Sequence, residues 1–471
     1  MDPLDELDPL AAVFPEDDGP PPGESTTDGR AATRAPERQA LGVAFPVDAL
    51  LAPVFRAFEQ AGVRWCLLRL PEDGSSPGGE VVALVDRSAL REARRILKAN
   101  GFAPFPTWGA GPRARFVGFD PEGDRWVTLD VVTRLNYGAF SGLETGAEGG
   151  CLERRRWQGG AFVLAPDDAF WTLLLHVLID GTGAGRRCVR KLERLAVGAR
   201  ADGPLARLVG AYLPQGWTPE HVIDCAWERA WDALERLAPV LAAEWARHQT
   251  RPARRRGFAN RLLRSIAARR LLPPARGMSV ALLGPDGAAK AALARELGTS
   301  FYLPVTYIRM SAPPRRRRRS RRLARAGFFR TLVTQWQRYL VGRRRRSRGR
   351  LVVFDRYTYD SRLPEQPRSA LARVRRLVLG RACPAPDVVV ILDTAEPSRR
   401  KGRPEAPHGT LRRLYLDLSQ RLPDAIVVEA AAGPDRVRRE ITARIWRAYA
   451  AAPPTAWLLR LRDLSLRLSK R

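Results

Sequence analysis

The chain lacks the residues that would announce a metal or redox centre. Its five cysteines (Cys66, Cys151, Cys188, Cys225 and Cys383) are scattered without Cys-x-x-Cys spacing. That excludes a zinc ribbon or a disulfide framework, and it points to reduced thiols in a cytoplasm. His176, His221 and His248 occur singly in helical stretches, without partners at ligand spacing. Long apolar runs are also missing: the best, Phe170 to Ile179, has a histidine inside and falls well short of the roughly 20 residues of a membrane span. The acidic, proline-rich N-terminus shows no secretory signal. Lysine is the scarcest charge. Of 80 Lys plus Arg only five are lysine (Lys98, Lys191, Lys290, Lys401 and Lys470). In an alanine-rich chain this arginine excess reads partly as coding bias, so the net charge of +30 argues for nucleic acid less strongly than its size suggests.

What is present divides along the chain. At 471 residues, two or three domains are expected. Residues 1–42 are rich in Asp, Glu, Pro and Gly and read as a disordered acidic tail. From Val47 the pattern predicts a helix to Gly62, a strand over Arg64 to Leu70, a turn over Pro71 to Gly79, a strand over Glu80 to Val85 and a helix over Ser88 to Asn100. Strands over Ala114 to Phe119 and Trp126 to Val132 follow, joined by the Asp-Pro-Glu-Gly turn. This order resembles the nucleotidyltransferase-like fold, in which a Gly-Gly-Asp-x-Asp strand and a later third carboxylate hold two metal ions. Here the motif is Gly78-Gly79-Glu80-Val81-Val82 with Asp130 as the third acid. A two-metal centre is therefore not expected, and the domain, residues 43–250, reads as structural or binding. From Asp167 to His248 it continues as a helical extension, with one long run from Glu220 through Trp245 that sets Trp227, Trp231 and Trp245 largely on one core-facing side.

Residues 251–276 read as a basic linker, with a short amphipathic helix over Phe258 to Leu272. Then Met278 to Leu297 lays out an apolar strand, a glycine turn, a lysine and a helix, the plan of a phosphate-binding loop. The pattern asks for Gly, four residues, Gly, Lys and then Ser or Thr. Gly284 and Lys290 fit, but Ala289 stands at the second glycine and Ala291 replaces the hydroxyl that ligates Mg²⁺. Further strands, Pro304 to Arg309, Leu351 to Tyr357, Asp387 to Asp393 and Asp424 to Glu429, alternate with helical segments, one over Phe328 to Val341. They predict a parallel sheet with helices on both faces and ligands at the carboxyl ends of its strands. Arginine clusters lie at Arg315 to Arg322 and Arg343 to Arg350, and a basic amphipathic segment, Pro453 to Arg471, follows residue 452.

Gly-Pro-Asp-Gly in the loop, Asp355-Arg356-Tyr357 after a strand and Leu392-Asp393 before a cationic segment make residues 277–452 resemble the thymidylate kinase-like P-loop family. The resemblance implies ATP and Mg²⁺ as cofactors. It places Asp286 near the acceptor nucleotide and Lys290 on the donor phosphates, in a loop made by Gly284, Gly287, Ala289 and Ala291. Asp355 would order Mg²⁺ through water and Arg356 would bind the acceptor phosphate, while Arg399, Arg400 and Lys401, with Arg403, would close over the transferring group. The implied function is phosphoryl transfer from ATP to a nucleoside monophosphate or related small molecule. The rival class is a non-enzymatic scaffold whose arginine clusters recruit an acidic partner, nucleic acid or an anionic surface.

Overall fold

The computed structural model describes residues 47–69, 80–109, 111–138, 141–181, 186–269, 272, 275–285, 287–310, 321–363, 370–394, 408–422 and 425–452. The acidic tail, the turn with Gly78 and Gly79, Asp286, the segment with Arg399, Arg400, Lys401 and Arg403, Arg315 to Ser320, and Pro453 to Arg471 lie outside them.

The first half is built on a mixed sheet. After α1 (Ala52–Gln60) come β1 (Trp65–Arg69), β2 (Glu80–Val85), α2 (Leu90–Ala99), β3 (Ala103–Phe105), β4 (Arg113–Asp120) and β5 (Arg125–Val132). A small ribbon follows, β6 (Asn136–Tyr137) with β7 (Leu143–Glu144), then α3 (Glu148–Glu153) and the hairpin of β8 (Arg156–Gln158) and β9 (Ala161–Val163). The sheet order is β3-β4-β5-β2-β1-β9-β8, with β2 parallel to β5 and β1 parallel to β9. Phe55 and Phe58 of α1, Leu97 of α2 and Trp65 of β1 share one core. β8 and β9 extend the sheet beyond the sequence reading, which stops at Val132. Their turn uses Gly159 and Gly160 at φ +60° and +90°, a conformation that costs glycine little.

Helices α4 (Pro166–Ile179), α5 (Arg186–Ala196), α6 (Pro204–Gly210), α7 (Pro219–Trp227) and α8 (Trp231–His248) form the helical extension. The single run expected from Glu220 to Trp245 is broken after Trp227, where Arg229 takes φ +61°. This corrects the one-face reading of the tryptophans: Trp227 is 58% exposed, whereas Trp245 is fully buried. The basic stretch after it is largely α9 (Arg251–Ala268), capped by the Thr250 hydroxyl. Arg256 forks onto Glu144 at 2.8 and 2.6 Å, and Gly109 passes so close that a Cβ would lie 2.4 Å from the Asn260 carbonyl.

The second half alternates without exception: β10 (Met278–Leu283), α10 (Gly287–Ser300), β11 (Val305–Arg309), α11 (Arg321–Ser347), β12 (Leu351–Asp355), α12 (Ala370–Gly380), β13 (Val388–Asp393), α13 (His408–Gln420), β14 (Ala425–Glu429) and α14 (Pro434–Ala451). Its five strands run in the order β11-β12-β10-β13-β14, every pair parallel. All residues of β10, β12 and β13 are buried, as a sheet covered on both faces requires. Val280, Leu282, Leu293 and Ile441 belong to one layer, made with α10 and α14, and Ala281, Phe354, Tyr415 and Leu418 to the other. Both sheets lie within one compact unit. Val117 and Phe119 of β4 enter the core of the second sheet, Trp126 meets Trp446 edge-on at 4.7 Å and its indole N–H donates to the Ser300 carbonyl at 2.9 Å.

Candidate functional site

The strand order fixes where a ligand can be held. β10 is central, with β12 on one side and β13 on the other, so the chain winds in opposite directions from it and leaves a crevice at its carboxyl end. Three strand ends meet there: Leu283-Gly284, Asp355-Arg356 and Asp393. Gly284 has φ +141°, and a Cβ on it would lie 2.7 Å from the Leu392 carbonyl of β13, so glycine alone passes without strain. The chain then turns into α10 at Gly287, so the helix N-terminus follows directly on the carboxyl end of β10.

Lys290, on the first turns of α10, is fully buried. Its ammonium donates to the Gly284 carbonyl, so the lysine closes back over the turn whose shape depends on that glycine. Ala289 and Ala291 flank it, both half-buried, and neither side chain supplies an oxygen. Across the crevice Asp355, opposite Leu282 in the strand register, is 3% exposed. One of its oxygens, Oδ2, accepts the Tyr307 hydroxyl at 2.6 Å and lies 3.6 Å from the Arg309 guanidinium. The other, Oδ1, is buried and meets no hydrogen-bond donor among the described residues. Burial, and then the Asp355 carboxylate, push the Tyr307 hydroxyl well above its ordinary range, so it stays a donor.

Arg356 turns out of β12 with φ +55°, a left-handed conformation that a non-glycine residue holds only when its surroundings impose it. Near it is a group that sequence reasoning missed. Asp360 follows five residues after Asp355, on the short 3₁₀ turn Thr358–Arg362, and accepts the Tyr415 hydroxyl of α13 at 3.1 Å. Burial raises its carboxyl to about 6, although the positive charges of Arg356 and Lys290 pull it down. Lys290, Asp355, Arg356 and Asp360 thus share one electrostatic neighbourhood. At the third strand end, Asp393 is forked by Arg412 at 2.5 and 2.7 Å. Of the residues named from sequence, Gly284, Gly287, Ala289, Lys290, Ala291, Asp355 and Arg356 come together here. Asp286, Arg399, Arg400 and Lys401 lie outside the described residues.

The N-terminal sheet carries a different chemistry. Asp130 is fully buried and opposite Val82 in the register. Arg115 forks onto it at 2.9 Å for each bond, and Arg113 reaches it at 2.9 Å. The third acid of the nucleotidyltransferase pattern is thus held by arginines, and no cluster of three metal-ligating side chains occurs among the described residues. A cleft of about 410 Å³ beside these arginines is lined by Phe105, Trp108, Tyr302 and Gly349, among others. Gly349 and Pro304 place it toward the amino ends of β11 and β12, away from the crevice that holds Lys290.

No family model matches the chain, and no curated protein matches it. Among solved structures it is similar to the thymidylate kinase of Candida albicans, at 16% identity over 40% of this chain and 93% of that one, with a TM-score of 0.26. A superposition that loose adds nothing to the argument. The second half is thus a parallel five-stranded α/β sheet flanked by helices, with Lys290 folded back over the turn at its switch point.

Proposed function

We propose that the chain is a thymidylate kinase-like, ATP-binding protein that transfers a phosphoryl group from ATP to a nucleoside monophosphate or a related small phosphorylated molecule. The observation that carries this reading is the buried Lys290 at the mouth of α10, at the same sheet edge as buried Asp355, one of whose oxygens meets no donor among the described residues. The residues present fit the cofactors in part. The N-terminus of α10 and Lys290 would hold the donor phosphates, and Asp355 Oδ1 would hold Mg²⁺ through water, with no help from Ala291. Mg²⁺, when bound, neutralises charge on the transferring group. Lys290 would leave the Gly284 carbonyl for a phosphate oxygen, a stronger acceptor for an ammonium. Arg356 would orient the acceptor phosphate, and Tyr307 with Arg309 would hold the Asp355 carboxylate in place. Arg399, Arg400 and Lys401 would close over the transferring group.

Ala289 and Ala291 favour the rival reading, a scaffold that keeps the fold and has lost the reaction. Each substitution withholds transition-state stabilisation, about 10²-fold per lost contact. The test is a panel of nucleoside monophosphates with ATP and Mg²⁺, run on the wild type, on Ala289→Gly with Ala291→Ser, and on Lys290→Ala. Turnover by the wild type, raised by the double repair and abolished by Lys290→Ala, is the expected result. No turnover by either of the first two, with no ATP-induced thermal shift, would leave the scaffold reading standing.

A further inference from the structure

The outer surface of α11 and α12 carries more than half of the large apolar side chains exposed among the described residues. α11 presses one side on the second sheet: a Cβ at Gly342 would lie 2.4 Å from the Phe354 ring, and Gln335 is buried. With that side fixed inward, the opposite side must face out. It carries Phe329, Val333, Trp336 and Leu340, spaced four, three and four residues apart and 41–64% exposed. On α12, Leu371 and Val374 are each 56% exposed at a spacing of three. The Arg375 guanidinium lies 5.9 Å from the Phe328 ring, one point at which the two helices approach. A helix that is apolar on its outer side as well as its inner one needs a cover.

The charge around these stripes is of one sign. α11 and α12 span 27 and 11 residues and contain twelve arginines and no aspartate or glutamate. A stretch of that length holds about four acids at the average of this chain. A second copy of the chain would bring arginines against arginines with no carboxylate on either helix to pair them. A nucleic-acid duplex would satisfy the arginines and leave the aliphatic stripe uncovered. One kind of partner supplies both an apolar layer and anionic phosphates. We propose that this face docks on an anionic lipid bilayer, with α11 lying in the interface plane, its stripe at the acyl boundary and its arginines at the headgroups. No helix among the described residues is long and apolar enough to cross a membrane, consistent with contact in the plane. The proposal stands apart from phosphoryl transfer and does not depend on it.

The experiment is flotation of the purified full chain with phosphatidylcholine vesicles, with and without phosphatidylglycerol. Two variants accompany it: Phe329→Ser with Trp336→Ser and Leu340→Ser, and Arg343→Gln with Arg344→Gln and Arg345→Gln. All six residues are exposed, so unchanged melting temperatures are expected. Wild type should float only with the anionic vesicles, about tenfold or more tighter than either variant, and release as salt rises. Equal binding by the serine variant would overturn the proposal. So would a wild-type dimer that the serine variant converts to monomer without vesicle binding, which would assign the face to a second copy. Duplex DNA binding lost in the serine variant, with no flotation of wild type, would assign it to nucleic acid.

Discussion

At the scale of single residues the crevice depends on groups held in conformations or charge states they would not choose alone. Gly284 is the clearest. Replacing it with alanine puts a Cβ at φ +141° and 2.7 Å from the Leu392 carbonyl, so Gly284→Ala should lose about 2 kcal/mol or more, read as a lower urea midpoint with the slope unchanged. Asp360 is the second. Its carboxyl is raised from 3.8 to about 6 in the folded protein, so below pH 4 both folded and unfolded forms are protonated and the group costs nothing. Between pH 4 and 6 the unfolded chain ionises first, and above about 6 the folded protein bears the full burial cost. Asp360→Asn should therefore raise stability at pH 7 and flatten the stability profile between pH 4 and 6, while keeping an oxygen for the Tyr415 hydroxyl. A profile unchanged by Asp360→Asn would show that another group controls that window. Sequence spacing could point to Asp360 only as a nearby acid, because its environment comes from α13 and from Lys290, far along the chain.

At the scale of elements, legibility followed length and continuity. β10, β12 and β13 are near-continuous apolar runs bounded by charge, and they were readable because strands buried on both faces leave no alternation to misread. β3, β8 and β9 have three residues each, too few for any period to mark them. The Asp130 site was half legible. The acid stands out in the sequence, but its arginines lie at alternate positions of β4, with Arg115 opposite it in a pairing that only the register discloses. The same limit hid Trp446 of α14, which stacks on Phe105 at 5.9 Å and Tyr449 at 5.0 Å and meets Trp126 edge-on. A helix of the second half thus carries aromatic contacts for β3 and β5 of the first. Trp446 is 2% exposed, so Trp446→Ala should cost about 3–5 kcal/mol. Guanidinium unfolding followed by far-UV circular dichroism should show this cost as a loss from one cooperative transition. A new intermediate, with one sheet melting early, would mean that the halves are stable without this cluster.

At the scale of the whole molecule the shared core has a consequence for ligand binding. Val117 and Phe119 of the first sheet are buried in the same cluster as Val280 and Leu282 of the second, and Arg438 of α14 forks onto Asp124 beyond β4. Amides of β1 and β10 should then exchange hydrogen mainly through the same global opening. A non-hydrolysable ATP analogue with Mg²⁺ would bind at the carboxyl end of β10, in a different sheet from β1. At 100 times its Kd it stabilises the folded state by about 2.7 kcal/mol, and any amide that needs global opening slows by about 10²-fold. We expect this slowing in β1 as well as in β10, although β1 contributes no residue to the crevice. Lys290→Ala should remove both effects together, because it removes the binding and leaves the shared core intact. Slowing confined to β10 through β14 would show that the two sheets open separately. Slowing in neither, with wild type and Lys290→Ala alike, would instead reject the nucleotide site and leave the linkage between the sheets to be read from Trp446→Ala.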